Sequence, residues 1–138
     1  MRLWHYKMIP YLPNSQLWLI SQWRELNSIF KKQDKHILIN YVYEYNKSHL
    51  FTYTQMVLAE MINRGFVVKS FGYLGEYFNC SAISLTNFAI KKPFPNHHNN
   101  RYLLQCFYNL QEKYDRGQKD FDKERYERLE EFVRNEIR

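Results

Sequence analysis

Cysteine is nearly missing from this chain. Cys80 and Cys106 are the two among 138 residues, too few for the disulfide framework of small secreted domains. No apolar run approaches the roughly 18–20 residues that cross a bilayer. No basic, apolar leader with a cleavage site opens the chain, so a soluble protein in a reduced, cytoplasmic setting is expected, nucleoid-associated in a bacterium. Internal repeats and low-complexity tracts are absent. Alternating strand-type patterns are nearly so, with Ile37 to Tyr45 the one stretch that alternates. No Ser-His-Asp arrangement, phosphate-cradling Gly-Lys loop or dinucleotide fingerprint occurs, which removes the commonest hydrolase, nucleotidase and dehydrogenase readings.

What remains is compact, aromatic and basic. Hydrophobic residues make up 45% of the chain, and 10 Phe, 12 Tyr and 3 Trp favour a packed globule over disorder. The length fits one domain. A formal charge of +6 and a pI of about 9.3 suit a polyanionic partner, since neutralising phosphates releases counterions. The excess sits in the body: residues 1–76 carry nine Lys/Arg against five Asp/Glu, whereas residues 119–138 carry six against seven. Lys31, Lys32, Lys35, Lys91 and Lys92 are the candidate phosphate-facing patch.

Helical periodicity dominates the pattern and predicts an all-α fold. Pro13-Asn14-Ser15 starts a first helix at Asn14 or Ser15 that runs to Phe30, with Leu19, Trp23, Leu26 and Phe30 on its apolar stripe. Trp23 is expected in the core, and Ser21, Gln22 and Glu25 on the wettable side. A second, central helix runs from Ser48 to Arg64, buries Leu50, Thr54, Val57, Leu58 and Met61, and ends at a left-handed Gly65 with Phe66 beyond it. A short helical segment is expected from Asn79 or Ser81 to Ile90. A long helix follows from Asn99 or Asn100 to Gly117, with Leu103, Phe107, Leu110 and Tyr114 inward and Cys106 as a small buried hydrophobe. Residues 119–137 form a charged final helix with Tyr126, Leu129, Val133 and Ile137 on its stripe and Glu124/Arg128 and Glu130/Arg134 at supporting spacing.

By itself, Arg24-Glu25 on the first helix is an ordinary solvated pair. Context changes its weight. The run Leu19-Ile20-Ser21-Gln22-Trp23-Arg24-Glu25-Leu26, then Lys35-His36-Ile37-Leu38-Ile39-Asn40-Tyr41-Val42-Tyr43, then Leu58-Ala59-Glu60-Met61-Ile62-Asn63-Arg64-Gly65-Phe66, resembles in order the pyrimidine-dimer DNA glycosylase family. The opening Arg2-Leu3-Trp4-His5 and the stretch Arg101-Tyr102-Leu103-Leu104-Gln105-Cys106 are similar to the family's cellular branch. The likeness extends over most of residues 1–117. It implies a single-domain helical bundle, residues 1–117, with the N-terminal segment threaded between helices; residues 118–138, read from their own pattern, are expected as an extra charged helix packed on it.

The resemblance also implies an activity: excision of one base of a UV-induced pyrimidine dimer in duplex DNA, followed by a lyase cut, with no metal or organic cofactor and no protein partner, by a monomer. The nucleophile it implies is the terminal amine, here that of Met1, because the large Arg2 leaves the methionine in place. That chemistry stands independently. An α-amine with a pKa near 8 is about one-tenth free base at pH 7, against under about one part in a thousand for an ordinary lysine. Glu25 is then the candidate for stabilising the cationic sugar and moving the C2′ proton. Arg2, Arg24 and His36 match family positions near the DNA, and Lys32, Lys35, Trp4 and His5 complete the candidate DNA-binding set. A non-catalytic helical nucleic-acid-binding module on the same scaffold is the alternative. His97-His98 point in different directions with no third ligand at metal spacing, so they suit a polar loop facing phosphate.

Overall fold

The computed structural model describes residues 2–14 and 16–138, and all side chains within them but those of Gln16 and Leu17. The start signal at Ser15 and the amine of Met1 lie outside the described residues. The regular structure of the described residues is all helical, with no strand among them, and the all-α class holds. A 3-10 helix (Tyr6–Tyr11) precedes α1 (Gln16–Lys32); a second 3-10 helix (Asn40–Glu44) precedes α2 (Lys47–Asn63), α3 (Leu74–Phe78), α4 (Asn100–Asp115) and α5 (Lys123–Ile137).

Burial explains the arrangement. α2 is central: Leu50, Tyr53, Thr54, Val57, Leu58 and Met61 are buried on one side and Thr52 and Gln55 on another, as expected of a helix enclosed on more than one face. α1 and the first 3-10 helix pack against it, and α5 lies on α4 and on that same 3-10 helix. α2 stops where the sequence says it must. Gly65 takes φ of 86°, its N–H reaches Ile62 O at 2.9 Å, and the Phe66 N–H reaches Met61 O at 2.9 Å, the paired bonds that satisfy a helix's last carbonyls. Asn99 caps α4 by accepting from the Tyr102 N–H, and Asp122 caps α5 by accepting from that of Arg125.

Three expectations need correction. The helix expected from Asn79 or Ser81 to Ile90 is irregular chain, because α2 side chains take its backbone groups. Gln55 Nε2 donates to the carbonyls of Ser84 and Asn87, and Thr52 Oγ1 accepts from the Ile90 N–H. The helical turn falls earlier, at α3, and left-handed Asn79 ends it. The alternation from Ile37 to Tyr45 forms a turn and a 3-10 helix, whose three-residue repeat sends Ile39 and Val42 inward. On α1, the buried set is Leu19, Gln22, Leu26, Ile29 and Phe30, so Gln22 is inside and Trp23 is only half-buried.

Two arginines cover the carbonyls at the end of the 3-10 helix at Tyr6–Tyr11, of which that of Ile9 also accepts from the Leu12 N–H at 3.4 Å. Arg64 of α2 donates to the carbonyls of Pro13 (2.9 Å), Leu12 (3.1 Å) and Ile9 (3.3 Å) while pairing with Glu60 at 2.9 Å. Arg125 of α5 donates to Leu12 O and, at 2.8 Å, to Pro10 O. The planar five-donor fork makes this possible. Arg64→Ala should therefore lower stability by about 2–3 kcal/mol in urea unfolding, and Arg64→Lys should recover only part of it. A lysine variant as stable as the parent would contradict the clamp.

Candidate active site

Arg2 to His5 carry no regular structure yet run through the middle of the protein. Leu3 is fully buried and His5 is 2% exposed. A buried peptide without a ladder must find a partner for each polar group, and side chains supply them here. The Leu3 carbonyl accepts from the Tyr102 hydroxyl. That of Trp4 accepts from the Tyr53 hydroxyl at 2.6 Å. Gln22 does the most: its Oε1 accepts from the Trp4 N–H (2.9 Å) and lies 3.0 Å from the Tyr53 hydroxyl, whose proton goes to the Trp4 carbonyl, and its Nε2 donates to Arg2 O (3.0 Å) and to Glu25 Oε2 (3.1 Å). A donor at the oxygen end and two acceptors at the nitrogen end fix the orientation of the amide.

Glu25, three residues on from Gln22 and so on the same side of α1, receives one further donor. The backbone N–H of Arg2 reaches its Oε2 at 3.3 Å. Half-burial raises the carboxyl above its ordinary range, while the bonds from Arg2 and Gln22 and the nearby charge of His36 pull it back. The Arg2 guanidinium lies between the Trp4 and Tyr102 rings, 5.8 and 5.7 Å from their centroids, with Nη1 3.8 Å from Cys106 Sγ. Beside this pair opens a cleft of about 500 Å³, lined by Arg2, Trp4, Trp18, Gln22, Glu25 and Asn109 among others.

Two histidines brace the segment from behind. His5 Nδ1 accepts from the Lys7 N–H at 3.1 Å, leaving Nε2 as the donor to His98 O at 2.8 Å. His98 Nδ1 accepts from the Tyr6 N–H at 3.1 Å, and its Nε2 meets the Tyr41 hydroxyl at 2.6 Å. Burial pushes His5 down to about 4 and His98 well below the usual histidine range, so both rings are neutral at pH 7. The phosphate-facing loop expected at His97-His98 is corrected accordingly. His98 is 5% exposed among aromatic rings, and His97 stacks on Tyr41 and meets the Tyr45 hydroxyl at 2.7 Å.

The family model of pyrimidine dimer DNA glycosylases matches residues 1–72. The chain belongs to this family. It is thus a DNA repair glycosylase, with UV-damaged DNA as the partner its family implies. No curated protein and no solved structure matches the chain. The matched stretch contains Arg2, Trp4, Trp18, Gln22 and Glu25; the opposite wall, with Asn109 and Lys113, comes from α4 beyond it.

The other sequence-predicted residues are distributed unevenly. Arg24 is exposed on α1 next to Glu25, and Lys32, Lys35 and His36 are exposed at the end of α1 and in the turn after it. None of these four lines the cleft. His5 is behind it with both ring nitrogens occupied. Among the described residues no cluster of three His, Cys, Asp or Glu is placed to hold a metal ion, and no helix is long and apolar enough to cross a membrane. Sequence reasoning missed Trp18, Asn109 and Lys113. Lys113 Nζ lies 4.7 Å from the Trp18 centroid and 5.8 Å from that of Trp4, and Asn109 Oδ1 is buried without a partner among the described residues. Trp18, Gln22 and Glu25 stand at i, i+4, i+7 on α1, a local signal for Trp18, whereas Asn109 and Lys113 had none.

The histidine shift has a pH consequence. An imidazole that binds its proton at about 4 when folded and near 6.5 when unfolded gives the unfolded chain the extra proton between those values. Stability is then complete above pH 6.5 and falls as pH drops toward 4, by on the order of a few kcal/mol. The raised Glu25 carboxyl acts in the opposite direction, so the comparison with a variant isolates the histidine. His5→Asn, which keeps a capping acceptor, should flatten the melting-temperature profile between pH 6.5 and 4. An unchanged profile would contradict the assignment.

Proposed function

We propose that this protein is a bifunctional glycosylase and abasic-site lyase for pyrimidine dimers in duplex DNA, with the α-amine of Met1 as nucleophile and Glu25 as its carboxylate partner. The observation that carries the reading is the 3.3 Å contact from the Arg2 backbone nitrogen to Glu25 Oε2 at the wall of the cleft. Arg2 follows Met1 directly in the sequence, and the meeting of its backbone nitrogen with the acid supports Met1 as the source of the nucleophile.

The amine attacks C1′, the damaged base departs with its bonding electrons and takes up a proton, and ring opening leaves an imine between C1′ and the chain. Loss of the C2′ proton then drives β-elimination of the 3′ phosphate, and water releases the amine. Glu25 stabilises the cationic sugar and carries the C2′ proton; its raised pKa suits a group that must take a proton and return it. Arg2, Arg24, His36, Lys32 and Lys35 contact phosphate, which makes binding salt-sensitive and independent of sequence. Trp4 lines the site, and His5 holds the segment from behind. No cofactor or second subunit enters the scheme. Residues 1–117 form the glycosylase domain, and residues 118–138 brace it through the Arg125 bonds to the Pro10 and Leu12 carbonyls.

Borohydride trapping on a duplex with an abasic site tests this reading against a non-catalytic binding module. A covalent adduct that vanishes when the terminal amine is acetylated is expected; tight binding with no adduct would favour the module. Glu25→Gln should lower strand cleavage by at least about 100-fold while the Kd for a dimer-containing duplex changes little. Unchanged cleavage would reject the role given to Glu25.

A further inference from the structure

The most exposed large apolar side chain among the described residues is Ile37, at 86%, and Leu38 beside it is 39% exposed. Both sit at the tip of the turn between α1 and the second 3-10 helix. That tip is stiff. The His36 carbonyl accepts from the N–H groups of Ile39 (2.8 Å) and Asn40 (2.9 Å), Asn40 Oδ1 accepts from the His36 N–H (2.8 Å), and His36 Nδ1 accepts from the Leu38 N–H (3.2 Å). Ile39, fully buried, anchors the turn to the core. An apolar tip on a floppy loop can fold back onto the surface; one tied by four hydrogen bonds stays exposed.

Two neighbouring features identify what would cover it. Leu38 is part of the lining of the cleft that holds Glu25 and Arg2. Lys31, Lys32, Lys35 and His36 immediately precede the tip, all exposed, and none is in an ion pair among the described residues. Three lysines outside any ion pair, of which Lys31 lies 5.4 Å from the Tyr73 ring centroid, complement with the apolar point a duplex, whose phosphates flank a stack of bases. Proteins that kink DNA push Ile, Leu, Met or Phe side chains between base steps in this way.

We infer that Ile37 and Leu38 form an apolar wedge that enters the base stack at the lesion while Glu25 faces the sugar. The inference rests on the glycosylase reading and adds the part that opens the duplex. A damaged step is the cheapest to enter, since its stacking is already weakened, so the wedge also contributes to discrimination between damaged and intact DNA.

The test uses the full chain, a duplex with a dimer and 2-aminopurine beside it, and a second duplex in which the dimer faces unpaired bases. On the paired duplex, binding of the parent protein should brighten the 2-aminopurine. Ile37→Ser should lose most of that signal and lower the ratio of paired to unpaired turnover about tenfold or more. Ile37→Met, still apolar, should retain both. Unchanged brightening and an unchanged ratio in Ile37→Ser would overturn the wedge, and so would equal losses on both duplexes, which would make the turn a support of the site. Protein that brightens the probe in an Ile37-dependent way but cuts nothing would leave the wedge standing and remove the amine mechanism. Cleavage by parent and Ile37→Ser alike would do the reverse.

Discussion

Burial of an unstructured peptide is the constraint from which the architecture follows. Arg2 to His5 cross the interior without helix or strand, and an unpaired buried backbone group costs about 1–3 kcal/mol. Several such groups left open would exceed the margin by which a domain of this size is stable. Gln22 is the main answer to that cost, spanning Arg2 O and the Trp4 N–H with opposite ends of one amide. Because its Nε2 also bonds Glu25, the device that makes the segment foldable also fixes the acid. Site geometry and fold stability are properties of the same contacts.

The surrounding elements serve that segment from three sides. Tyr53 of α2 and Tyr102 of α4 donate to its carbonyls, and the neutral pair His5 and His98 ties its far end to the loop before α4. Beyond it, Arg64 and Arg125 cover the exit carbonyls of the first 3-10 helix from α2 and α5. The richness in tyrosine thereby has a structural reason: a ring fills the core while a hydroxyl satisfies irregular backbone. The residues left over from this work, Arg24, Lys32, Lys35, His36 and the Ile37-Leu38 tip, are exposed and available to DNA.

Much of this was legible in the sequence, and the parts that were not share a cause. Helix placement follows local rules, so α1, α2, α4 and α5, the Gly65 stop and the Asn99 cap emerged within a few residues of their observed positions. Glu25 became a candidate through ordered likeness to a family, not through its own spacing. Failures occurred where tertiary contact outweighed pattern. Gln22 looks like a surface residue until a peptide is threaded beside it. His97-His98 look like a polar loop until six aromatic residues enclose His98. The segment from Asn79 to Ile90 looks helical until Gln55 and Thr52 take its backbone groups. Asn109 and Lys113 reach the cleft from α4, a juxtaposition with α1 that no local window contains, whereas Trp18 lies on α1 one turn before Gln22.

The central proposal is that the amine of Met1 works with Glu25, whose Oε2 accepts from the Arg2 N–H. An NMR titration of protein carrying ¹⁵N-methionine at position 1 measures this most directly. The account predicts that the α-amine and the Glu25 carboxyl titrate as a coupled pair, and that Glu25→Gln moves the amine's titration to lower pH by removing the anion that favours its ammonium form. An amine that titrates like that of a free peptide, and identically in the parent and the variant, would contradict it.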